Sequence, residues 1–163
     1  MTEQLAQRQD QTLDLEQMVT FNLGNEEYGV NILQVQEINR MVEITEVPQT
    51  DFYVEGIINL RGKVIPIIDL RKKFGMESST HDEKTRIVVV DVSSETVGLI
   101  VDGVSEVLRV HTSSLEETPK LIAGKHHNNL SAEYIKSIVK LDERLLIYLD
   151  LESIVSSSRL PAA

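Results

Sequence analysis

Residues 18–38 read MVTFNLGNEEYGVNILQVQEI, and residues 87–107 read IVVVDVSSETVGLIVDGVSEV. The two stretches align without a gap at an offset of 69 positions, with five identities among 21 residues. Each stretch contains a β-branched run, a polar turn, a glycine and an apolar run that ends in Val-x-Glu-[Ile/Val]. The identical pairs are Val19/Val88, Glu26/Glu95, Gly29/Gly98, Val35/Val104 and Glu37/Glu106. A β-rich module written twice predicts two small barrels that share one core and leave a groove where they meet.

A second, shorter sequence similarity follows each copy of this module. GKVIPIIDL (62–70) and DERLLIYLDL (142–151) both read as a turn, an apolar strand, Asp-Leu and a short helix. Asp69 and Asp150 stand where an aspartate caps a helix N-terminus, and capping is the favoured interpretation of both residues. Residues 35–40 are compatible with a strand or with one helical turn, because periodicity does not separate the two over so short a run.

The folded domain is expected to span residues 17–156. Residues 1–16 are polar and Gln-rich, and residues 157–163 are short and polar, so disordered tails are expected at both ends. One barrel subdomain is expected mostly from about 24–84, and the other mostly from about 85–155 together with the first strand.

The bulk composition excludes several classes of protein. With 16 basic and 26 acidic residues the chain carries a formal net charge of −10, so it lacks the basic footprint of a nucleic-acid-binding protein. The absence of cysteine excludes disulfides, thiolate metal sites and thiol nucleophiles. No apolar run is long enough for a membrane span, and the N-terminus lacks the pattern of a secretory signal. A cytoplasmic protein is expected.

Signals of catalysis are missing from the sequence. Phosphate-binding glycine loops and a G-x-S-x-G nucleophile turn are both absent. The carboxylates show no spacing that favours a general acid–base pair. The four histidines lack the i,i+4 spacing of a metal site; they are His81, His111, His126 and His127. We therefore expect no enzyme, no cofactor and no metal, although a small-ligand pocket in the groove remains the enzymatic alternative.

Arg61 and Gly62 form the predicted tip of a hairpin. A planar guanidinium at such a tip favours contact with a carboxylate or a backbone acceptor. The alternative is a solvated turn in which Gly62 supplies a positive φ. Glu37 recurs as Glu106, which favours a structural role for both glutamates.

Three segments resemble the CheW-type chemotaxis coupling proteins: EEYGVNILQVQEI (26–38), INLRGKVIPIIDLRKKF (58–74) and VGLIVDGVSEV (97–107). The second segment resembles the most specific signature of that family, and the resemblance covers about residues 17–156. It implies a mainly β fold of two SH3-like five-stranded β-barrel subdomains packed around a shared hydrophobic core, with short helices. The loop GKHHNN (124–129) departs from the family's pattern.

The resemblance also implies a non-catalytic adaptor and its partners. Such a protein couples the cytoplasmic hairpin tip of chemoreceptors (methyl-accepting chemotaxis proteins) to the regulatory domain of the histidine kinase CheA. It is expected to be a monomer in isolation, associated with membrane-bound receptor arrays and without direct membrane insertion. A related module that serves a non-flagellar cascade, such as surface motility or second-messenger control, stays open as an alternative.

Carried over position by position, the family's contact residues form two groups. The receptor-contacting positions, including one added apolar anchor, are Val35, Glu37, Arg61, Gly62, Arg86, Gly98 and Val104. The kinase-contacting positions lie near Ile44 and Gly56.

Overall fold

The structure, a computed structural model, describes residues 14–77, 80–119 and 132–156. The expected C-terminal tail, most of the N-terminal tail and the loop at 124–129 lie outside these residues. The first strand begins at Leu15, inside the stretch expected to be a tail. The reason is pairing: Leu15 lies opposite His111, so the ladder continues beyond the predicted boundary.

The described residues form eleven strands and two short α-helices. The strands are β1 (Leu15–Leu23), β2 (Glu26–Asn31), β3 (Val35–Arg40), β4 (Val54–Leu60), β5 (Lys63–Asp69), β6 (Arg86–Val92), β7 (Glu95–Val101), β8 (Gly103–His111), β9 (Leu115–Glu116), β10 (Ile135–Lys140) and β11 (Leu145–Leu149). The helices are α1 (Leu70–Lys73) and α2 (Leu151–Ser156). Single 3₁₀ turns span Ile32–Gln34, Thr112–Ser114 and Ala132–Tyr134.

Barrel 1 is built on the five-stranded sheet, in the order β3-β6-β7-β5-β4. It closes where the chain that leaves β3 returns to β4: Thr45 and Ile57 exchange two backbone hydrogen bonds of 2.9 Å. Closure removes the exposed sheet edges that otherwise invite non-specific pairing. The interior is aliphatic and consists of Ile58, Ile65, Ile67, Ile87, Val89 and Ile100.

Barrel 2 is built on the six-stranded sheet, in the order β8-β1-β2-β11-β10-β9. Its closure repeats that of barrel 1, because the chain that leaves β8 returns as β9 and pairs with β10. Both barrels also contain one parallel pairing, β5 with β7 in barrel 1 and β11 with β2 in barrel 2. The interior consists of Met18, Val110, Val139, Leu146 and Tyr148.

The chain divides between the barrels differently from the sequence expectation. Barrel 1 takes the continuous stretch 35–101, and barrel 2 takes the flanking strands within 15–31 and 103–149. The expected boundary near 84–85 is therefore wrong. The reason is that the hairpins β1–β2 and β6–β7, which are repeat equivalents, each pair with strands of the other copy. Strand periodicity gives the face that each strand buries but not its partner.

A third and larger apolar cluster lies between the barrels and joins them. It contains a run of aromatic rings whose neighbouring centroids are 5.8–5.9 Å apart, formed by Phe21, Tyr28, Phe74 and Tyr134. All four side chains are buried, so the two barrels share this core. Together with the two sheets and the short helices, it confirms the predicted fold of two barrels around a common core.

The helix caps predicted from the repeat are present. The Asp69 carboxylate accepts a hydrogen bond of 2.9 Å from the backbone N–H of Arg71, and Asp150 accepts one of 3.3 Å from the N–H of Ser153. Each aspartate thereby satisfies a backbone donor that the first helical turn leaves free.

Candidate functional site

The hairpin between β4 and β5 has a two-residue turn. Arg61 and Gly62 both have positive φ, 52° and 85°, as a type I′ turn requires. The side-chain Oδ1 of Asn59 accepts a hydrogen bond of 2.8 Å from the backbone N–H of Gly62. This hydrogen bond fixes the conformation of the turn. The turn holds the Arg61 side chain at the tip of barrel 1, with 71% of its surface exposed.

Arg61 forms an ion pair with Glu37, which lies on β3. The other carboxylate oxygen of Glu37 accepts a hydrogen bond of 2.7 Å from the Asn39 side chain. These hydrogen bonds, first from Asn39 and then from Arg61, hold the pKa of Glu37 below its ordinary value. Glu37 is thus a fixed anion, while the partly unpaired fork of Arg61 remains available for a second acceptor.

A surface pocket of about 330 Å³ lies beside this ion pair. It is lined by Gln36, Leu60, Arg61, Gly62, Lys63 and Ile65. It therefore bridges β3 and the β4–β5 hairpin. The mixture of apolar walls and cations suits a polypeptide that carries carboxylates or free carbonyls.

Two of the predicted anchors lie where the barrels meet. Val35 begins β3 in barrel 1, Val104 lies on β8 in barrel 2, and both pack against the shared core. Each side chain is half-buried, so only part of it is exposed along the seam between the two barrels. Leu33, two residues before Val35, has 89% of its surface exposed and offers an apolar contact that the sequence pattern did not single out.

The remaining predicted receptor positions have local roles. Gly98 lies inside barrel 1, where an added Cβ would be 2.5 Å from Ile67 Cδ1 and 2.9 Å from Ile87 Cγ2. The Arg86 guanidinium donates hydrogen bonds of 2.7 Å and 2.9 Å to the carbonyls of Glu83 and Thr85. The structure brings Glu37, Arg61 and Gly62 together but leaves the Gly98 backbone in the interior and engages Arg86 in its own loop.

The two predicted kinase positions lie side by side. A Cβ added to Gly56 would be 2.9 Å from Ile44 Cγ2 and 2.1 Å from the carbonyl oxygen of Thr45. Gly56 has a φ of 145°, so it is required both by its own backbone conformation and by the close approach of the crossing chain. Ile44 packs partly against the interior of barrel 1.

Barrel 2 contains a counterpart of the Arg61–Glu37 pair. Arg144, at the turn between β10 and β11, contacts Glu106 at 2.9 Å and Glu27 at 3.1 Å. Glu106 is the repeat equivalent of Glu37, but Arg144 aligns with Lys63 and not with Arg61. The two ion pairs therefore share the position of the glutamate, and each takes its arginine from a different place in the hairpin. Among the residues that the structure describes, Arg144 pairs with two carboxylates, whereas Arg61 pairs with one.

Sequence reasoning missed two residues that shape this site and the arginine of the corresponding ion pair in barrel 2. Asn39 orients Glu37, Asn59 fixes the turn, and Arg144 repeats the pairing. Asn39 could have been found, because it lies two residues after Glu37 on a strand and therefore on the same face. Arg144 had no such signal, because aligning Asp69 with Asp150 places Arg144 opposite Lys63 and not opposite Arg61.

The chemistry of the site is that of recognition. Within 14–77, 80–119 and 132–156 no group of three or more His, Cys, Asp or Glu side chains is placed to hold a metal ion. In the same part of the chain no helix has the length and apolar character to cross a membrane. The ion pair, the exposed Leu33 and the seam can position another polypeptide.

Comparison with known proteins gives a consistent result. The family model described as the CheW-like domain matches residues 17–159. The chemotaxis protein CheW of Klebsiella aerogenes is 38% identical over 145 residues, which are 89% of this chain and 84% of that protein. That of Bacillus subtilis is 34% identical over 140 residues, 86% of each. The crystal structure of the scaffolding protein TtCheW from Thermoanaerobacter tengcongensis superposes with a TM-score of 0.76 at 35% identity, covering 85% of this chain and 91% of that one.

Proposed function

Because the chain belongs to the CheW-like domain family, whose members are adaptors and not enzymes, we propose that it couples chemoreceptors to the histidine kinase CheA in bacterial chemotaxis. The relatives named above are chemotaxis and scaffolding proteins. In this role the protein works in the cytoplasm, beside membrane-bound receptor arrays, and binds two polypeptides without changing either.

The observation that carries the proposal is the Arg61–Glu37 pair at the tip of barrel 1. Glu37 is fixed by two donors, and Arg61 is exposed with donors to spare. A receptor's helical hairpin docks through apolar anchors together with charges that set its register. Val35, Val104 and the exposed Leu33 supply the anchors, and Arg61 supplies the contact to a carboxylate or a carbonyl of the receptor.

The kinase contact is proposed for a separate surface of barrel 1. Ile44 lies beside Gly56, 2.9 Å from where a Cβ added to that glycine would be, at the point where the chain crosses β4 to close the barrel. A partner that packs there contacts the apolar side chain of Ile44 and the backbone near Gly56. The adaptor role requires this surface to bind CheA while the Arg61 tip binds the receptor.

The receptor contact is tested by exchanging one arginine for methionine in each barrel. Arg61→Met keeps an unbranched apolar stem and removes the guanidinium fork, and Arg144→Met makes the same change at the ion pair of barrel 2. Binding of a receptor signalling fragment is measured by titration, together with co-sedimentation in receptor–CheA assemblies. Loss of a charge-assisted contact predicts at least about tenfold weaker receptor binding for Arg61→Met, with an unchanged affinity for Arg144→Met. Equal receptor affinity in wild type and Arg61→Met contradicts the proposal.

The kinase contact is tested by Ile44→Ala. Met41, which packs partly against the same barrel interior, provides the matched control Met41→Ala. Both variants remove apolar contacts inside barrel 1, so both lower stability. Only Ile44→Ala is expected to weaken binding to the CheA regulatory domain. Identical losses of kinase affinity in the two variants exclude a specific contact at Ile44.

A further inference from the structure

The chain passes between the two barrels at two places in the described residues. The first crossing is the 3₁₀ turn Ile32–Gln34, between β2 and β3. The second is Asp102, the single residue between β7 and β8. Val35 directly follows the first crossing, and Val104 comes two residues after the second. The two apolar anchors of the proposed receptor groove are therefore positioned by the crossings themselves.

Asp102 is held from both barrels. Its backbone N–H donates a hydrogen bond of 3.1 Å to the Asn22 carbonyl, and its carboxylate accepts one of 2.7 Å from the N–H of Gly24, so it is tied to the β1–β2 hairpin of barrel 2. From barrel 1, Arg71 on α1 donates two hydrogen bonds to the same carboxylate, one of 2.8 Å from Nε and one of 2.5 Å from Nη2. Arg71 is itself fixed by a third bond of 2.9 Å, from Nη1 to the Glu77 carbonyl.

This bidentate contact fixes the relative orientation of the two barrels, which the apolar contacts of the shared core do not fix. Apolar contacts between the barrels are non-directional, so they resist separation more than sliding or rotation. A two-pronged arginine–carboxylate pair is directional, since both N–H···O bonds are satisfied in one relative orientation only. Both side chains are mostly shielded from water, with 18% of Arg71 and 23% of Asp102 exposed, which strengthens the pair relative to an open surface contact.

We propose that Arg71 and Asp102 form an inter-barrel latch that sets the relative placement of Val35 and Val104, and thereby the receptor groove. The functional part of this inference rests on the proposed adaptor role. The proposed kinase surface, Ile44 and Gly56, lies wholly within barrel 1. Arg71 and Asp102 are thus positioning residues for receptor binding, and they leave kinase binding unaffected.

The placement of the barrels is measured directly by spin labels. The chain has no cysteine, so Arg40→Cys on β3 and Lys140→Cys on β10, both exposed, place one label on each barrel. Pulsed electron–electron double resonance then measures the distribution of distances between the two spin labels. In this doubly labelled protein, Arg71→Met is expected to broaden the distance distribution, and Arg71→Lys is expected to broaden it less. Arg61→Met is the control: it removes an ion pair within barrel 1 and should leave the distribution unchanged.

Binding is measured on the same proteins without labels. Arg71→Met is expected to weaken binding of the receptor fragment by roughly fivefold or more, a typical coupling between distant positions, with kinase affinity within about twofold of wild type. Asp102→Asn provides a second variant that preserves side-chain volume. Unchanged distance distributions in both variants overturn the latch, and so does unchanged receptor affinity despite a broadened distribution. A wild-type protein that fails to bind the receptor fragment contradicts the proposed function instead, while the distance measurement still decides the latch.

Discussion

Gly29 and Gly98 occupy the same place in the two barrels. Each lies on a strand that makes a parallel pairing in its barrel. A Cβ added to Gly29 would be 2.9 Å from both Leu146 Cδ2 and Met18 Sδ, and one added to Gly98 would be 2.5 Å from Ile67 Cδ1. The repeated glycine is therefore a packing requirement of each barrel interior.

Gly98→Ala is expected to lower the free energy of unfolding by about 1–3 kcal/mol, because Ile67 and Ile87 must move in a tightly packed interior. Gly62→Ala serves as the comparison, since no atom lies within 4 Å of its added Cβ. There the loss comes only from the positive φ and is about 1 kcal/mol. Urea unfolding measures both. A smaller loss for Gly98→Ala than for Gly62→Ala contradicts the packing role.

Phe74→Ala is expected to destabilise the whole molecule by about 3–5 kcal/mol, because Phe74 is 1% exposed in the core that both barrels share. Phe52→Ala is the matched control: Phe52 is 72% exposed, so the change is expected to stay within about 0.5 kcal/mol. Chemical denaturation followed by probes in each barrel should give one common transition. Separate transitions for the two barrels in wild type would show that they are independent folding units.

The Glu37 carboxyl is expected to titrate below its ordinary pKa of 4.5, since Asn39 and Arg61 stabilise the carboxylate. Asn39→Ala removes the larger of these effects and raises the midpoint towards 4.5. Carboxyl carbon shifts followed by NMR over an acid titration measure the change. Asn59→Ala, which alters the nearby turn without touching Glu37, is the control and should shift the midpoint less.

Asp102→Asn is expected to lower the free energy of unfolding by about 1–2 kcal/mol near neutral pH, after allowance for partial exposure. Burial opposes ionisation of Asp102, but the hydrogen bonds from Arg71 and Gly24 outweigh it and hold its pKa below 3.8. A carboxylate with a depressed pKa contributes fully above its unfolded pKa. That contribution is lost as pH falls through the folded value.

The difference in unfolding free energy between wild type and Asp102→Asn should therefore be constant above about pH 5 and shrink below pH 3.8. Asp69, whose pKa is raised by burial, has the opposite dependence but is present in both proteins, so it cancels. Urea titrations at several pH values give the difference. A difference that stays the same down to about pH 3 argues against an ionised, latched Asp102.

The sequence predicted the two barrels because alternation, turn residues and the 69-residue offset all operate over short distances. It predicted Asp69 and Asp150 as caps for the same reason. It could not predict which hairpin pairs with which strand, since a strand's pattern is satisfied by any partner that buries the same face. Residues 35–40, undecided by periodicity, form strand β3 because β6 provides a ladder from Val35 to Arg40.

The candidate site was predicted in part. Arg61 and Glu37 were named separately, and the structure shows that they pair with each other. The Arg71–Asp102 contact joins residues 31 positions apart, and no local pattern relates them. Such contacts depend on the crossing between the barrels, which is a property of the tertiary fold alone.

The interleaved division of strands also sets an order of events during synthesis. Residues 35–101 emerge from the ribosome as one unbroken run and contain every strand of barrel 1. The β1–β2 hairpin is made first, yet its partners β8 and β11 are made last. The edges of this hairpin therefore stay unpaired until β8 and β11 have been synthesised, so the nascent chain exposes a strand edge that can pair non-specifically for most of its synthesis.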